Sequence, residues 1–160
     1  MNELVTALGS DVEFYQCFKL NEEEFEMIKK INLKFVNNYH KINLEEVRYS
    51  FQKTLEDIPC EKFIGVGHIL ENMFSQNVSN AEKSITYLIY LFDNNLIDSD
   101  DLKHGIVLGL VNFQENIIDY PKSKDYLQKL LDIVREKKIL DEKILKIYQK
   151  CCENMITNLN

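Results

Sequence analysis

The 160-residue sequence has few residues that interrupt regular structure, with five glycines, two prolines and no tryptophan. No stretch approaches the ~20 apolar residues that a membrane-spanning helix needs. No run alternates between apolar and polar residues for long enough to predict a β-strand. These absences favour long helices. Apolar residues at 45% and charged residues at 28% are typical of a globular domain rather than a disordered chain.

The sequence also lacks the residue patterns of common catalytic and metal sites. Its three histidines are scattered, and its four cysteines form no Cys-x-x-Cys pair, which argues against a zinc site. Unpatterned cysteines are typical of a reducing compartment, where they pack as small buried or half-buried thiols. We therefore expect no metal, no cofactor and no enzymatic activity. Residues 1–9 lack the basic start and apolar run of a signal peptide, so the expected location is cytoplasmic, with nuclear as the alternative.

The charge balance narrows the class of partner. The formal net charge is −7, whereas nucleic-acid binders need clustered lysine and arginine. Direct RNA binding is therefore expected to be weak or absent. A basic protein partner suits this balance better.

Helix-start signals and apolar spacing predict about seven helices. An Asn or Ser followed three residues later by Glu is typical of a capping box, and proline fits well at a first helical position. The predicted starts are the capping boxes Asn21–Glu24, Asn43–Glu46 and Ser79–Glu82, the prolines Pro59 and Pro121, and the N-cap Asp98.

Short connections of two to five residues make sequential helices antiparallel neighbours. The predicted fold is therefore all-α, with about seven helices packed as antiparallel pairs in a HEAT-like stack of α-hairpins. We expect residues 1–20 to form an N-terminal extension or a short packed helix. Residues 21–156 are expected to form a single domain, and residues 157–160 a tail.

Apolar residues at steps of three and four predict which face each helix buries. Gly65 and Gly67 interrupt the third predicted helix, and each weakens it by about 1 kcal/mol relative to alanine. Close packing against a neighbouring helix would explain both. His104 lies near a helix start and is expected on the surface or in a cap. The predicted inward residues include Phe63, Val66, Leu70 and Met73, then Ile85, Leu88, Ile89 and Phe92, then Ser123, Leu127, Leu130, Leu131 and Val134, and finally Leu140, Ile144, Ile147, Cys151 and Met155.

The stretch from Gly105 to Ser123 carries the most distinctive pattern in the chain. It predicts a helix that ends before Pro121, because the proline ring forbids its continuation and holds the preceding residue extended. Glu115 and Asp119 then lie at or just before a sharp turn between two helices, facing solvent if the apolar residues face the core. A stiff acidic corner of this kind is suited to docking a basic partner. The inward residues predicted for this helix are Leu102, Ile106, Leu110, Phe113 and Ile117.

This stretch also resembles the signature of a known family. Gly105, Glu115 and the Ile-Asp-x-Pro-x-Ser run at residues 118–123 are similar, in order and spacing, to the MA-3 domain. That domain is found in programmed cell death protein 4 and in the large scaffold protein of translation initiation. The resemblance covers roughly Asn21 to Met155. The family usually has an aromatic residue after the glycine, where this chain has Ile106, and we expect that position in the core.

The resemblance implies a docking function. In this family the equivalent corner binds the DEAD-box translation helicase, initiation factor 4A, and modulates or inhibits its RNA unwinding. The implied partner-binding residues are Glu115, Asn116, Asp119, Pro121 and Lys122, with the two acids as charge contacts and the proline fixing the turn. Other initiation factors are further candidate partners, and the chain is expected to be a monomer.

Other interpretations of the sequence stay open. Glu115 and Asp119 could be a solvated helix end, with Asp119 capping the helix that follows. As a catalytic pair they would need a pocket that raises one pKa, and on an exposed corner both carboxyls would be ionised. The alternatives in function are a helical scaffold or oligomerisation module and a nuclear, splicing-type MA-3 protein.

Overall fold

The computed structural model describes residues 22–37, 43–57, 62–116 and 121–157. All regular structure in these ranges is helical, which confirms the predicted fold class. The predicted extension at residues 1–20, the cap at Asn21, the start at Pro59 and the last three residues of the tail lie outside them. The helices are α1 (Glu22–Asn37), α2 (Leu44–Asp57), α3 (Lys62–Phe74), α4 (Val78–Asp93), α5 (Ser99–Asn116), α6 (Ser123–Glu136) and α7 (Glu142–Thr157).

Two of the predicted helix starts are confirmed by their hydrogen bonds. At the start of α2, the backbone N–H of Glu46 donates to Asn43 Oδ1 at 2.9 Å. At the start of α5, Asp98 and Asp101 cap each other. Asp101 N–H donates to Asp98 Oδ1 at 2.8 Å, and Asp98 N–H donates to Asp101 Oδ2 at 3.0 Å. Both devices satisfy backbone donors that a helix end would leave unpaired.

Two predicted starts are wrong by two residues. The N-cap of α4 is Asn77, whose side chain accepts a hydrogen bond from the N–H of Asn80 at 2.9 Å, so Ser79 already lies inside the helix. Pro121 belongs to a turn, and α6 begins at Ser123. At α4 a competing cap residue, Asn77, sets the boundary, whereas at α6 the residue at the N-cap position, Lys122, makes no side-chain cap.

The centre of the fold is the contact between α3 and α5, where glycines let the two helices approach closely. A Cβ added at Gly67 would lie 2.6 Å from the Leu108 side chain, and one at Gly105 would overlap Val66. Gly109 faces Leu70 at an added-Cβ distance of 3.2 Å. The close-packing explanation therefore holds for Gly67. It fails for Gly65, where an added Cβ has no described atom within 4 Å.

These pairs also fix the relative direction of the central helices. As residue number rises along α3 from 66 to 70, it rises along α5 from 105 to 109, so α3 and α5 run parallel. Helix α3 also packs on α1, α4 and α6, while α4 packs on α6 and α6 on α7. The C-terminal ends of α3 and α5 therefore lie at one end of the molecule, together with the α3–α4 connection.

Burial confirms several predicted faces. The inward residues of α6 (Ser123, Leu127, Leu130, Leu131 and Val134) are all at most 1% exposed. Ile106 is fully buried, as expected. Helix α5 is more enclosed than one apolar face requires, because every residue from Gly105 to Leu110 is buried. None of the described helices has both the length and the apolar composition needed to cross a membrane.

Two predictions about side-chain direction are correct only in part. Helix α7 buries the predicted Cys151, and the predicted Ile144 and Ile147 are half-buried against the core, but Leu145, Tyr148 and Cys152 are buried more completely. On this face the Tyr148 hydroxyl donates to the backbone carbonyl of Lys103 at 2.9 Å, so its polar group is paired within the core. His104 is half-buried rather than on the surface, with its ring centroid 5.7 Å from that of Phe63. Burial, with the nearby Lys103 charge, lowers the pKa of His104.

Candidate functional site

The predicted corner lies between α5 and α6, and the structure describes its downstream side. Glu115 and Asn116 are the last two residues of α5, but their side chains are outside the described part. Asp119 belongs to residues 117–120, which are also outside it. Pro121 and Lys122 are described, form a turn and are exposed. Two of the five predicted binding residues are therefore placed, and both are accessible to a partner.

The first turn of α6 is fixed by contacts with a distant part of the chain. The Ser123 hydroxyl donates to the backbone carbonyl of Phe74 at 3.4 Å, and the Tyr126 hydroxyl donates to that of Gln76 at 2.8 Å. Both residues are at most 1% exposed. A hydrogen bond inside the protein contributes about 1 kcal/mol net, and leaving a buried partner unpaired costs more. The start of α6 therefore has a defined position relative to the end of α3.

The acceptors of these bonds belong to a connection that is itself well ordered by hydrogen bonds. The backbone N–H groups of Ser75 and Gln76 donate to the carbonyls of Asn72 and Met73, at 3.2 and 3.1 Å. The Ser75 hydroxyl also donates to the Asn72 carbonyl at 2.9 Å. One residue later Asn77 caps α4. The start of α6 thus contacts a short connection whose backbone is held at both ends.

Exposed ion pairs add little to this arrangement. Lys129 Nζ on α6 lies 2.7 Å from Glu82 Oε1 on α4, and Lys137 Nζ lies 3.4 Å from Asp93 Oδ2. All four side chains are between 40% and 55% exposed. Pairs in solvent contribute ~0–1 kcal/mol each and weaken with salt. The buried hydroxyl contacts of α6 therefore contribute more than these pairs to the position of the turn.

Other polar and ionisable groups near the core fit structural roles. His68 is 4% exposed, and its Nδ1 lies 3.1 Å from Glu71 Oε2, one helical turn along α3. Burial raises the pKa of the Cys152 thiol to about 12 and also raises the pKa of the Tyr87 hydroxyl. A protonated, buried thiol is a poor nucleophile. Within the described ranges, no group of three or more His, Cys, Asp or Glu side chains could hold a metal ion.

No sequence pattern directly indicates the contact between Tyr126 and Gln76. The two residues are 50 positions apart, and a tyrosine on a buried helical face is ordinarily a core residue. The one available hint is its position in the first turn after a predicted proline corner, where a buried hydroxyl needs an acceptor.

No protein-family model, curated protein or solved structure matches this chain. Its function must therefore be inferred from its own residues.

Proposed function

We propose that this chain is a protein-binding domain of the MA-3 type that docks on the DEAD-box translation helicase, initiation factor 4A. The docking surface would be the acidic corner formed by Glu115, Asn116, Asp119, Pro121 and Lys122. Binding there would modulate or inhibit RNA unwinding in translation initiation. We further infer that the helices stack as HEAT-like α-hairpins. The parallel α3 and α5 would form one layer of this stack, and the packed α4 and α6 the other.

The observation that carries the proposal is an exposed turn on a fixed support. Pro121 and Lys122 are exposed, and the next residue, Ser123, is fully buried and bonded to Phe74. A surface whose backbone is already ordered loses little conformational entropy when a partner binds. This combination supports a docking corner better than a solvated helix end, which would need no such anchoring.

The proposed mechanism is stoichiometric binding without turnover. Glu115 and Asp119 would meet basic residues of the helicase, consistent with the net charge of −7. Complementary charge of this kind speeds association. Removing one member of a buried interfacial charge pair typically costs ~2–5 kcal/mol, whereas charges at the rim contribute much less. Pro121 would set the direction in which the chain leaves the corner.

Calorimetric titration of purified initiation factor 4A with the chain tests this function. We expect saturable binding at one chain per helicase, together with slower RNA unwinding in a strand-displacement assay. Light scattering should report the monomer mass of 18.9 kDa. Absence of binding heat together with a dimer mass would favour the oligomerisation module. A salt-dependent gel shift with RNA alone would favour direct RNA binding.

A further inference from the structure

The Tyr126 hydroxyl on α6 is placed to do more than fill the core. It donates to the backbone carbonyl of Gln76 at 2.8 Å, across 50 residues of sequence. Tyr126 lies one helical turn beyond the exposed Pro121–Lys122 turn, and its ring is 1% exposed. The bond therefore joins the first turn of α6, which directly follows the candidate docking surface, to the α3–α4 connection.

We propose that Tyr126 is a positioning residue for the corner. The hydrogen bond from its hydroxyl to Gln76 would fix the position of the first turn of α6. It would thereby hold the Pro121–Lys122 turn in the geometry that the partner recognises. The effect that we expect on partner binding rests on the proposed function. The effect of the Tyr126 hydroxyl on the first turn of α6 can be tested without any partner.

The bond is suited to local control because this helix end has no side-chain cap. The residue at the N-cap position, Lys122, makes no side-chain capping bond. A helix whose first N–H groups lack a cap frays more readily. The hydroxyl contact from Ser123 to Phe74 is longer than the Tyr126 bond, at 3.4 Å. Loss of the Tyr126 hydroxyl should therefore loosen the first turn of α6 before it affects the rest of the fold.

The chain provides a matched control in Tyr148. This tyrosine is also fully buried, and its hydroxyl donates to the backbone carbonyl of Lys103 at 2.9 Å, across 45 residues. It lies on α7 and bonds near the start of α5, away from the corner. Tyr126→Phe and Tyr148→Phe thus remove the same group from the same kind of bond. Their effects on overall stability should be similar.

Limited trypsin cleavage at the Lys122–Ser123 bond directly measures how often the first turn of α6 opens. Lys122 is exposed but Ser123 is buried in the first turn, so cleavage requires that turn to open. At low protease the cleavage rate follows the population of the open form. Losing one such bond should raise the rate about fivefold in Tyr126→Phe. Tyr148→Phe should stay within about twofold of the wild type, as followed by mass spectrometry of the fragment ending at Lys122.

Equal acceleration in the two variants would overturn the proposal, because the effect would then reflect general destabilisation. For binding, Tyr126→Phe should weaken affinity for initiation factor 4A about fivefold relative to Tyr148→Phe. Faster cleavage with unchanged affinity would also contradict the positioning role. If the wild-type chain binds no helicase, the proposed function fails. The cleavage comparison still decides whether the Tyr126 hydroxyl stabilises the first turn of α6.

Discussion

Gly105 on α5 lies so close to Val66 on α3 that a Cβ added to the glycine would overlap the valine side chain. The carbonyl oxygen of Phe63 lies 3.1 Å from the same added atom. Neither neighbour can easily move, because valine has a stiff χ1 angle and the carbonyl belongs to the backbone. This contact sets the separation of α3 and α5, and the α3–α4 connection that supports the corner follows directly from α3.

We expect Gly105→Ala to destabilise the fold, because overpacking a well-filled contact typically costs ~1–3 kcal/mol. Gly65→Ala is the matched control. Gly65 is also buried within a helix, but an added Cβ there meets no described atom within 4 Å. Alanine should then stabilise α3 by ~0.5–1 kcal/mol through its better helix propensity. Urea denaturation followed by circular dichroism measures both changes, and a neutral Gly105→Ala would disprove the close approach of the two helices.

The reciprocal cap at the start of α5 should make stability depend on pH. The N–H of Asp101 bonds to the Asp98 carboxylate and lowers the pKa of Asp98. An acid with a lowered pKa contributes stability above its unfolded pKa, and this contribution is lost as the pH falls through the folded value. Burial acts in the opposite direction at Asp101 and raises its pKa. The Asp98 contribution should thus be full at pH 7 and fade below about pH 4.

Asp98→Ala should therefore cost about 1 kcal/mol at pH 7, the typical value of an N-cap, and progressively less below pH 4. The uncharged cap Asn43, which accepts a similar bond from Glu46, provides the comparison. The cost of Asn43→Ala should change little over the same pH range. Thermal unfolding of both variants from pH 3 to pH 7 checks this, and parallel pH profiles would contradict the assigned role of the Asp98 carboxylate.

The adjacent thiols of α7 should be inert while the protein is folded. Cys151 is 6% and Cys152 1% exposed, and burial raises the pKa of Cys152 to about 12. At pH 8 only about one Cys152 thiol in ten thousand would be the reactive thiolate. Iodoacetamide should therefore label this peptide only as fast as the protein unfolds, and rapidly in urea. Native-state labelling at the rate of free cysteine would show that α7 does not bury this face.

How far the sequence predicts the fold depends on how many apolar stripes each helix carries. Helix α6 has one stripe, through Leu127, Leu130 and Val134, and its buried face was predicted correctly. Helix α7 has two adjacent stripes, and periodicity cannot choose between Ile144 with Ile147 and Leu145 with Tyr148. The more deeply buried face is set by tertiary contacts that local patterns do not contain, among them the Tyr148 bond to Lys103, 45 residues away.

The same reasoning applies to the candidate site. Pro121 predicted that a turn separates two helices, because the effect of proline on the backbone is local. The hydroxyl contacts of Ser123 and Tyr126 with the α3–α4 connection span 49 and 50 residues, so no spacing rule could predict them. Similarly, glycines within α3 suggested close packing, but only the structure distinguishes Gly67, which has a neighbour, from Gly65, which has none among the described residues.

The central claim is that Glu115 and Asp119 carry the charge contacts with the helicase. The double variant Glu115→Lys with Asp119→Lys reverses both charges at the corner. Glu56→Lys with Glu136→Lys is the control, since both glutamates are exposed and lie outside the corner, on α2 and at the C-terminal end of α6. Each substitution replaces a negative charge with a positive one and so raises the net charge by two, and either pair moves the net charge from −7 to −3. Any difference between the two variants therefore reports position rather than overall charge.

The most direct measurement is the affinity of initiation factor 4A for the wild type and these two variants, determined by calorimetric titration. Loss of two interfacial charge pairs should weaken binding by at least about thirtyfold in the corner variant. The control should bind within about threefold of the wild type, and circular dichroism should show both variants to be folded. A folded corner variant that binds as tightly as the control would contradict the proposed docking surface.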